Sequence, residues 1–82
     1  LLQKTKALID HRGYAISNID SVVCLQRPKI RPFIDDMRHC LAEILELDVD
    51  DLSIKATTTE QLGFEGREEG VSAYATVLVY KL

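Results

Sequence analysis

A run of hydroxyl, acidic and basic side chains in the second half of the sequence has the composition of a phosphate site. Thr57, Thr58 and Thr59 are consecutive, Glu60 follows directly, and Arg67 comes later in the same segment. Hydroxyls beside free backbone amides bind phosphate oxygens. A single carboxylate can hold a Mg²⁺ that also takes phosphate oxygens, and a guanidinium is a planar donor suited to phosphate. The segment therefore predicts a metal-bridged diphosphate site.

The same segment has a second interpretation that needs no ligand. Thr57 and Glu60 have the Thr-x-x-Glu spacing of a capping box. In that arrangement the Thr57 hydroxyl caps a short helix, and the Glu60 carboxylate accepts a hydrogen bond from the Thr57 amide. The pattern alone favours the capping box, although an open helix N-terminus is itself an anion site and the two interpretations are compatible.

A proline-stiffened connection, residues 25–32, is the other candidate site. Pro28 and Pro32 restrict the backbone, so amides and carbonyls near Lys29 can be held in place to recognise the polar edge of a base or ribose. The Lys29 ammonium can neutralise a phosphate. An ordinary strand-to-helix connection with exposed basic residues is the commoner alternative.

The histidines and cysteines do not form a ligand pattern. His11 and His39 lack a carboxylate or cysteine at metal-ligand spacing and are expected on the surface. Cys24 and Cys40 lack Cys-x-x-Cys spacing and a paired histidine, so they are expected to be small buried hydrophobes in a reducing compartment.

Composition limits the class of protein. The net charge is −3, and ten basic residues are scattered among thirteen acidic ones, which argues against a polynucleotide partner. The longest apolar runs, 77–79 and 22–25, fall far short of the roughly 20 residues that span a bilayer. At 82 residues the chain allows one domain with one modest core.

Hydrophobic periodicity predicts the elements that position these residues. Residues 1–12 have helical spacing and end before Gly13, which suits the position just after a helix. Residues 14–26 are rich in Ile and Val and predict a strand. Residues 32–46 predict the most regular helix, with Pro32 at its first position.

The second half predicts an acidic turn at 48–51, a strand at 52–56, a loop at 57–70 with one helical turn at its start, and a final strand at 71–81. This order predicts an α+β fold with a helix layer on one face of a sheet. Both faces of the last strand are apolar or half-apolar, so the opposite face is expected to need cover from further residues or a second subunit. Helical periodicity is already present at Leu1 without an N-cap, as expected for the tail of a longer protein.

Two motifs together resemble the 2-C-methyl-D-erythritol 2,4-cyclodiphosphate synthase family: residues 26–29, and residues 55–70 with many matching positions at fixed spacing. The resemblance covers nearly the whole chain. It implies the carboxyl-terminal half of a single synthase domain, with helices on one face of a mixed β-sheet and the other face toward a trimer axis.

The resemblance also implies an activity. Members are phosphorus-oxygen lyases of the non-mevalonate isoprenoid pathway, in which the 2-phosphate of 4-diphosphocytidyl-2-C-methyl-D-erythritol 2-phosphate attacks the outer phosphorus of the diphosphate and expels CMP. The active sites lie between adjacent subunits of a homotrimer, with Mg²⁺ or Mn²⁺ and with Zn²⁺ from the neighbouring subunit. The implied location is the bacterial cytoplasm or a plastid-type organelle.

By the same resemblance, the substrate-binding residues of the cytidine and diphosphate pocket are Leu25, Pro28, Lys29, Ile30, Arg31, Ala56, Thr57 and Thr58. Thr58 meets the diphosphate and Glu60 binds the Mg²⁺ or Mn²⁺, so these two carry the catalytic roles. Phe64 and Arg67 resemble residues near the trimer axis, where the family can hold an isoprenoid diphosphate.

The sequence departs from the family pattern at two places. Nothing matches the zinc ligands, which belong to the amino-terminal half; His11 and His39 fall elsewhere, so this chain alone is expected to be inactive. Tyr74 stands where many members carry a glutamate near the axis. The alternative hypothesis is a small α+β ligand-binding or regulatory module without catalysis, in which Thr57 and Glu60 act only as a helix cap.

Overall fold

The computed structural model describes all 82 residues, which form three strands, three α-helices and two short 3₁₀ helices. In chain order these are α1 (Leu2–His11), β1 (Tyr14–Cys24), a 3₁₀ helix (Arg31–Phe33), α2 (Ile34–Leu45), a 3₁₀ helix (Val49–Asp51), β2 (Leu52–Thr57), α3 (Gly63–Gly66) and β3 (Ser72–Lys81). No helix has both the length and the apolar content needed to cross a membrane.

The predicted helices and strands are confirmed with small differences at their ends, but the helical turn expected at the start of the loop 57–70 lies at Gly63–Gly66. Gly13 follows α1 with a φ of +79°, a conformation that glycine adopts freely. The first turn of the predicted helix 32–46 is 3₁₀ and contains Pro32, and α2 begins at Ile34. The predicted strand 14–26 ends at Cys24.

The three strands form one mixed sheet in the order β2-β1-β3. β1 is parallel to β2 and antiparallel to β3. The register between β1 and β3 shifts between Ile16 and Asn18, which is a β-bulge at Ser17. The parallel pair is important for function, because its two carboxyl ends lie at the same edge of the sheet.

The helices cover one face of this sheet, as predicted. The strand register places alternate residues of β1 and β2 on the helix side, among them Ile19, Val23, Leu52 and Ile54. The most buried residues are Ala42 and Leu45 of α2 together with Leu52 and Ile54 of β2. The core of this chain is therefore the contact between α2 and β2.

Arg38 fixes α2 to the start of β2. Its Nε donates to the Leu52 carbonyl at 2.9 Å, and its Nη2 donates to the Val49 carbonyl at 2.8 Å. Asp48 Oδ1 accepts a hydrogen bond from the Asp50 amide and caps the intervening 3₁₀ helix. These bonds fix the position of the start of β2 relative to α2, and therefore also the position of the carboxyl end of β2.

The far strand, β3, is exposed on both faces within this chain. Tyr74, Leu78 and Tyr80 are 64%, 57% and 52% exposed, and Val77 on the helix side is 44% exposed. A mostly apolar hollow adjoins β3 on the helix side and is lined by Leu8, Ile9, Arg12, Tyr14 and Val79. The exposed apolar surface is what the sequence predicted, while the trimer axis stays a prediction.

Candidate functional site

The candidate site lies where β1 and β2 end side by side. Cys24 and Thr57 are the last residue pair of the parallel ladder. The Leu25 amide then donates to the Thr57 carbonyl at 3.0 Å and extends the pairing by one more bond. As a result, the segments that follow the two strands leave the sheet at the same edge, although they are far apart in the sequence.

A cavity of about 300 Å³ opens at this edge. Its wall includes all eight residues that the family resemblance assigned to the cytidine and diphosphate pocket, namely Leu25, Pro28, Lys29, Ile30, Arg31, Ala56, Thr57 and Thr58. It also includes Gln26, the first residue of the 26–29 motif, which lies within the segment expected to line the pocket. The peptide bond between Arg27 and Pro28 is cis.

The cavity wall is positively charged. Lys29 and Arg31 both line it, and neither forms an ion pair with a carboxylate of this chain. No acidic residue lines the cavity. Two unpaired cations beside two threonine hydroxyls favour an anionic ligand, and charge-assisted bonds to phosphate are the strong kind.

The predicted capping box is wrong. β2 continues through Thr57, the only helical turn in the following loop begins at Gly63, and no side chain caps that turn. The Thr57 hydroxyl donates instead to the Thr58 carbonyl at 3.2 Å. The Glu60 carboxylate takes part in no hydrogen bond or ion pair within the chain, so it is available to a ligand.

The bend between Thr58 and Leu62 has a particular hydrogen-bond pattern. The Glu60 amide donates to Thr58 Oγ1 at 3.2 Å. The Leu62 amide donates to the Thr59 carbonyl at 3.1 Å, and the Thr59 hydroxyl donates to the Leu62 carbonyl. Glu60 and Gln61 both have positive φ angles, 53° and 67°. Thr58 Oγ1 accepts the bond from the Glu60 amide and donates none within the chain, so its proton is available for a hydrogen bond to a ligand.

Glu60 fits a divalent cation of the Mg²⁺ type, and the chain does not fit zinc. One or two carboxylates are the usual protein contribution to Mg²⁺, with the remaining ligands coming from phosphate and water, and Glu60 follows the positively charged wall by two residues. No group of three His, Cys, Asp or Glu side chains is arranged to hold a metal ion. His11 and His39 are exposed on separate helices, as predicted for surface histidines.

Phe64 and Arg67 lie outside the cavity, as does Glu60. Arg67 Nε donates to Glu69 Oε1 at 2.5 Å, so this guanidinium already has an anionic partner. Phe64 is 46% exposed and packs against Gly70, where an added Cβ would come within 3.0 Å of the ring. Phe64 lies in α3 and Arg67 follows it directly, so both are separate from the residues that line the cavity.

The burial of the two cysteines differs from the prediction. Cys40 is exposed and Cys24 is half-buried, and both are free thiols. Cys40 lies on the side of α2 that carries Phe33 and Met37, a mostly apolar surface that this chain leaves open. The neighbours of Cys40 are mostly apolar, but no further layer covers that side of the helix.

Ser72 holds the carboxylate of Glu65 in its charged form. The Ser72 hydroxyl donates to Glu65 Oε2 at 2.6 Å. This bond lowers the pKa of Glu65 below its ordinary value of 4.5, and the Glu65 backbone amide and the Arg67 charge act in the same direction. Because the folded-state pKa is the lower one, the bond stabilises the fold above the unfolded-state pKa, and its contribution is lost as pH falls through the folded-state pKa.

We therefore expect Ser72→Ala to raise the pKa of Glu65 toward its ordinary value, because the largest cause of the shift is removed. A carboxyl-carbon NMR titration of the wild-type protein and the variant measures this directly. Ser53→Ala, at an exposed serine on β2, is the matched control and should leave the Glu65 titration where it was. An identical Glu65 midpoint in the wild type and in Ser72→Ala would contradict the assignment.

The fold and the cavity together define an α+β protein with a positively charged cavity at the carboxyl ends of two parallel strands. The sequence model of the YgbB family matches residues 1–80. The chain belongs to this family, and the resemblance inferred from its motifs is confirmed.

Individual relatives agree. A 2-C-methyl-D-erythritol 2,4-cyclodiphosphate synthase from Bacteroides fragilis is 57% identical over 82 residues, 100% of this chain and 52% of the relative. The synthase of Phocaeicola vulgatus is 54% identical over 81 residues, 99% of this chain and 51% of the relative. The chain thus spans about half the length of the curated relatives it matches.

Solved structures show the same fold. The cyclodiphosphate synthase of Plasmodium vivax has a TM-score of 0.94 at 30% identity, covering 99% of this chain and 54% of that one. A Plasmodium falciparum IspF in complex with CDP has a TM-score of 0.93 at 29% identity, covering 98% and 51%. Both likenesses cover α1 through β3, so the cavity edge belongs to the shared part.

Proposed function

We propose that this chain is the carboxyl-terminal half of a 2-C-methyl-D-erythritol 2,4-cyclodiphosphate synthase and supplies its cytidine and diphosphate site. The observation that carries the proposal is the convergence of all eight expected pocket residues on one cavity with two unpaired cations. The relatives bear the synthase name, and one structure of the same fold was solved with CDP. Since the synthases of Bacteroides fragilis and Phocaeicola vulgatus are bacterial, we place the enzyme in the bacterial cytoplasm, with a plastid-type organelle as the other compartment.

The proposed reaction is an intramolecular phosphoryl transfer. An oxygen of the 2-phosphate forms a bond to the outer phosphorus of the diphosphate, the bond from that phosphorus to the bridging oxygen breaks, and CMP leaves with that oxygen. The substrate supplies its own nucleophile. The protein therefore contributes by binding, orientation and neutralisation of charge.

The chain's own residues divide these tasks. Pro28 and Ile30 form apolar walls against the nucleoside, and Lys29 neutralises phosphate charge beside them. The Thr58 hydroxyl donates a hydrogen bond to a diphosphate oxygen, because within the chain it accepts from the Glu60 amide and its proton has no acceptor. Thr58 and Glu60 are the residues to which we assign the catalytic roles.

Glu60 would hold the Mg²⁺ or Mn²⁺, which when bound neutralises charge on the diphosphate. The zinc ligands would come from the amino-terminal half, and complete sites would form between subunits of a homotrimer. This chain alone would then be inactive. Phe64 and Arg67 would lie near the trimer axis and contact an isoprenoid diphosphate there, with Tyr74 in place of the usual glutamate and Glu69 competing for Arg67.

Calorimetric titration of the full-length protein with CDP tests the proposal. We expect CDP to bind in the presence of Mg²⁺ and Lys29→Met to weaken binding roughly 10- to 100-fold, the effect of one charge-assisted hydrogen bond. Lys4→Met, the same change at an exposed lysine on α1, is the control and should bind like the wild type. Absence of CDP binding to the wild-type protein would favour the non-catalytic module instead.

A further inference from the structure

We propose that Gln26 is a positioning residue that directs the Glu60 carboxylate by holding the next peptide in the loop, that of Gln61. This inference rests on the proposed function, in which Glu60 binds the divalent cation. Gln26 lines the cavity and is half-buried. Its Oε1 accepts a hydrogen bond from the Gln61 amide at 3.3 Å, which joins segments 35 residues apart in the sequence.

Gly66 lies close to the Cα and carbonyl carbon of Gln61. A Cβ added at Gly66 would lie 2.2 Å from the Gln61 carbonyl carbon and 2.6 Å from its Cα. Backbone approaches this close occur only at glycine. The backbone of Gln61 is thus bonded at its amide to the Gln26 side chain and crowded at its Cα and carbonyl carbon by Gly66, and we call this arrangement the Gln61 clamp.

The clamp bears on Glu60 through the backbone. Glu60 and Gln61 are adjacent and both have positive φ, a conformation that costs non-glycine residues free energy and persists only when surrounding contacts impose it. The Thr58 hydroxyl fixes the Glu60 amide, and Gln26 fixes the Gln61 amide. With the amides on either side of the Glu60 residue fixed, the direction of its Cα–Cβ bond is determined.

Gln26 also joins this loop to the nucleoside side of the cavity. It follows Leu25, whose amide is bonded to Thr57, so its backbone position is set by the end of the sheet. With Oε1 occupied by Gln61, its Nε2 is left as a donor at the cavity wall. One side chain therefore connects the nucleoside wall to the metal-binding carboxylate.

The test uses the full-length protein with CDP and Mg²⁺ as probes. We expect Gln26→Leu, which removes the acceptor at similar size, to raise the Mg²⁺ concentration that half-saturates the tight CDP complex about tenfold, as loss of a residue supporting a metal ligand does. Metal-free CDP affinity should fall by less than the Mg²⁺ midpoint rises, since Lys29 and Arg31 are untouched and only the Gln26 Nε2 donor is lost from the cavity wall. Gln3→Leu, at an exposed glutamine on α1, is the matched control.

A second readout needs neither metal nor turnover. In metal-free protein the Gln61 amide should exchange with solvent faster in Gln26→Leu than in the wild type, as measured by NMR. Gln26→Glu retains an acceptor oxygen at the same reach and should restore slow exchange. The side chain in Gln26→Asn is one methylene shorter, so the Gln61 amide should exchange as fast as in Gln26→Leu. Gln26→Asn therefore replaces Gln26→Leu in the test if the leucine variant does not fold.

The outcomes separate the two proposals. An unchanged Mg²⁺ midpoint and unchanged Gln61 exchange in Gln26→Leu would overturn the positioning role while leaving the synthase proposal intact. If the wild-type protein bound CDP without any response to Mg²⁺, the metal-binding function assigned to Glu60 would be wrong. The positioning role of Gln26 would then be wrong too, even if slow exchange of the Gln61 amide showed that the Gln61 clamp exists.

Discussion

In the proposed full-length synthase, replacing Glu60 with glutamine will lower kcat roughly 10²- to 10³-fold, the usual effect of removing one group that stabilises developing charge. The glutamine side chain has nearly the same shape but no charge, and it is a poor ligand for Mg²⁺. The carboxylate has no partner within the chain, so its replacement breaks no internal bond. The measurement is steady-state turnover of the diphosphocytidyl substrate over a range of Mg²⁺ concentrations.

The pattern of change matters as much as its size. We expect the thermal midpoint of Glu60→Gln to stay within a few degrees of the wild type, because surface substitutions away from structural contacts have small effects on stability. Glu43→Gln, at an exposed glutamate on α2, is the control and should retain full activity. A large loss of stability with a proportionate loss of activity would instead identify Glu60 as a structural residue and revive the cap interpretation.

The elements of this fold were predictable because each has a strong local signal. The apolar spacing of residues 1–12 ending at Gly13 fixed α1, and the alternation of residues 71–81 fixed β3. Pro32 correctly marked a helix start, although it occupies a 3₁₀ turn that precedes α2. In these segments the period of the sequence and the environment of the backbone agree, which makes a local pattern sufficient.

The loop after β2 was less predictable, because its conformation depends on distant partners. Thr57 and Glu60 have capping-box spacing, yet Thr57 pairs in the sheet and Glu60 has a φ of 53°. Nothing in a local pattern signals two consecutive non-glycine residues with positive φ. The bond from Gln61 to Gln26 that helps to impose this bend spans 35 residues.

The candidate site, like the fold, was only partly predictable from local sequence patterns. The cavity residues were identified through the family resemblance of residues 26–29 and 55–70, and the residues taken singly favoured the ligand-free alternatives. The structure adds the physical reason that they belong together, which is that parallel strands β1 and β2 end at Cys24 and Thr57, side by side. Parallel pairing of segments so far apart is a property of the whole sheet and is not encoded in either segment alone.

Substituting Gly66 with alanine will disable the site from a position that does not line the cavity. The new methyl group would lie 2.2 Å from the Gln61 carbonyl carbon, which is closer than packed atoms can approach. The backbone of Gln61 must therefore move. We expect a loss of roughly 10²-fold in kcat/KM, the usual consequence of displacing a catalytic group by about 1 Å. Overpacking should also cost about 1 to 3 kcal/mol of stability.

Gly13→Ala separates crowding from backbone conformation. Gly13 has a φ of +79°, yet a Cβ there would meet nothing within 4 Å, whereas Gly66 has no positive φ and is crowded. The Gly13 variant should therefore lose about 1 kcal/mol of stability and keep its kcat/KM. Equal kcat/KM for Gly66→Ala and the wild type would mean that the Gln61 peptide can move without disturbing Glu60. Because both variants add the same single methyl group, a loss of activity confined to Gly66 would have to arise from contact with Gln61.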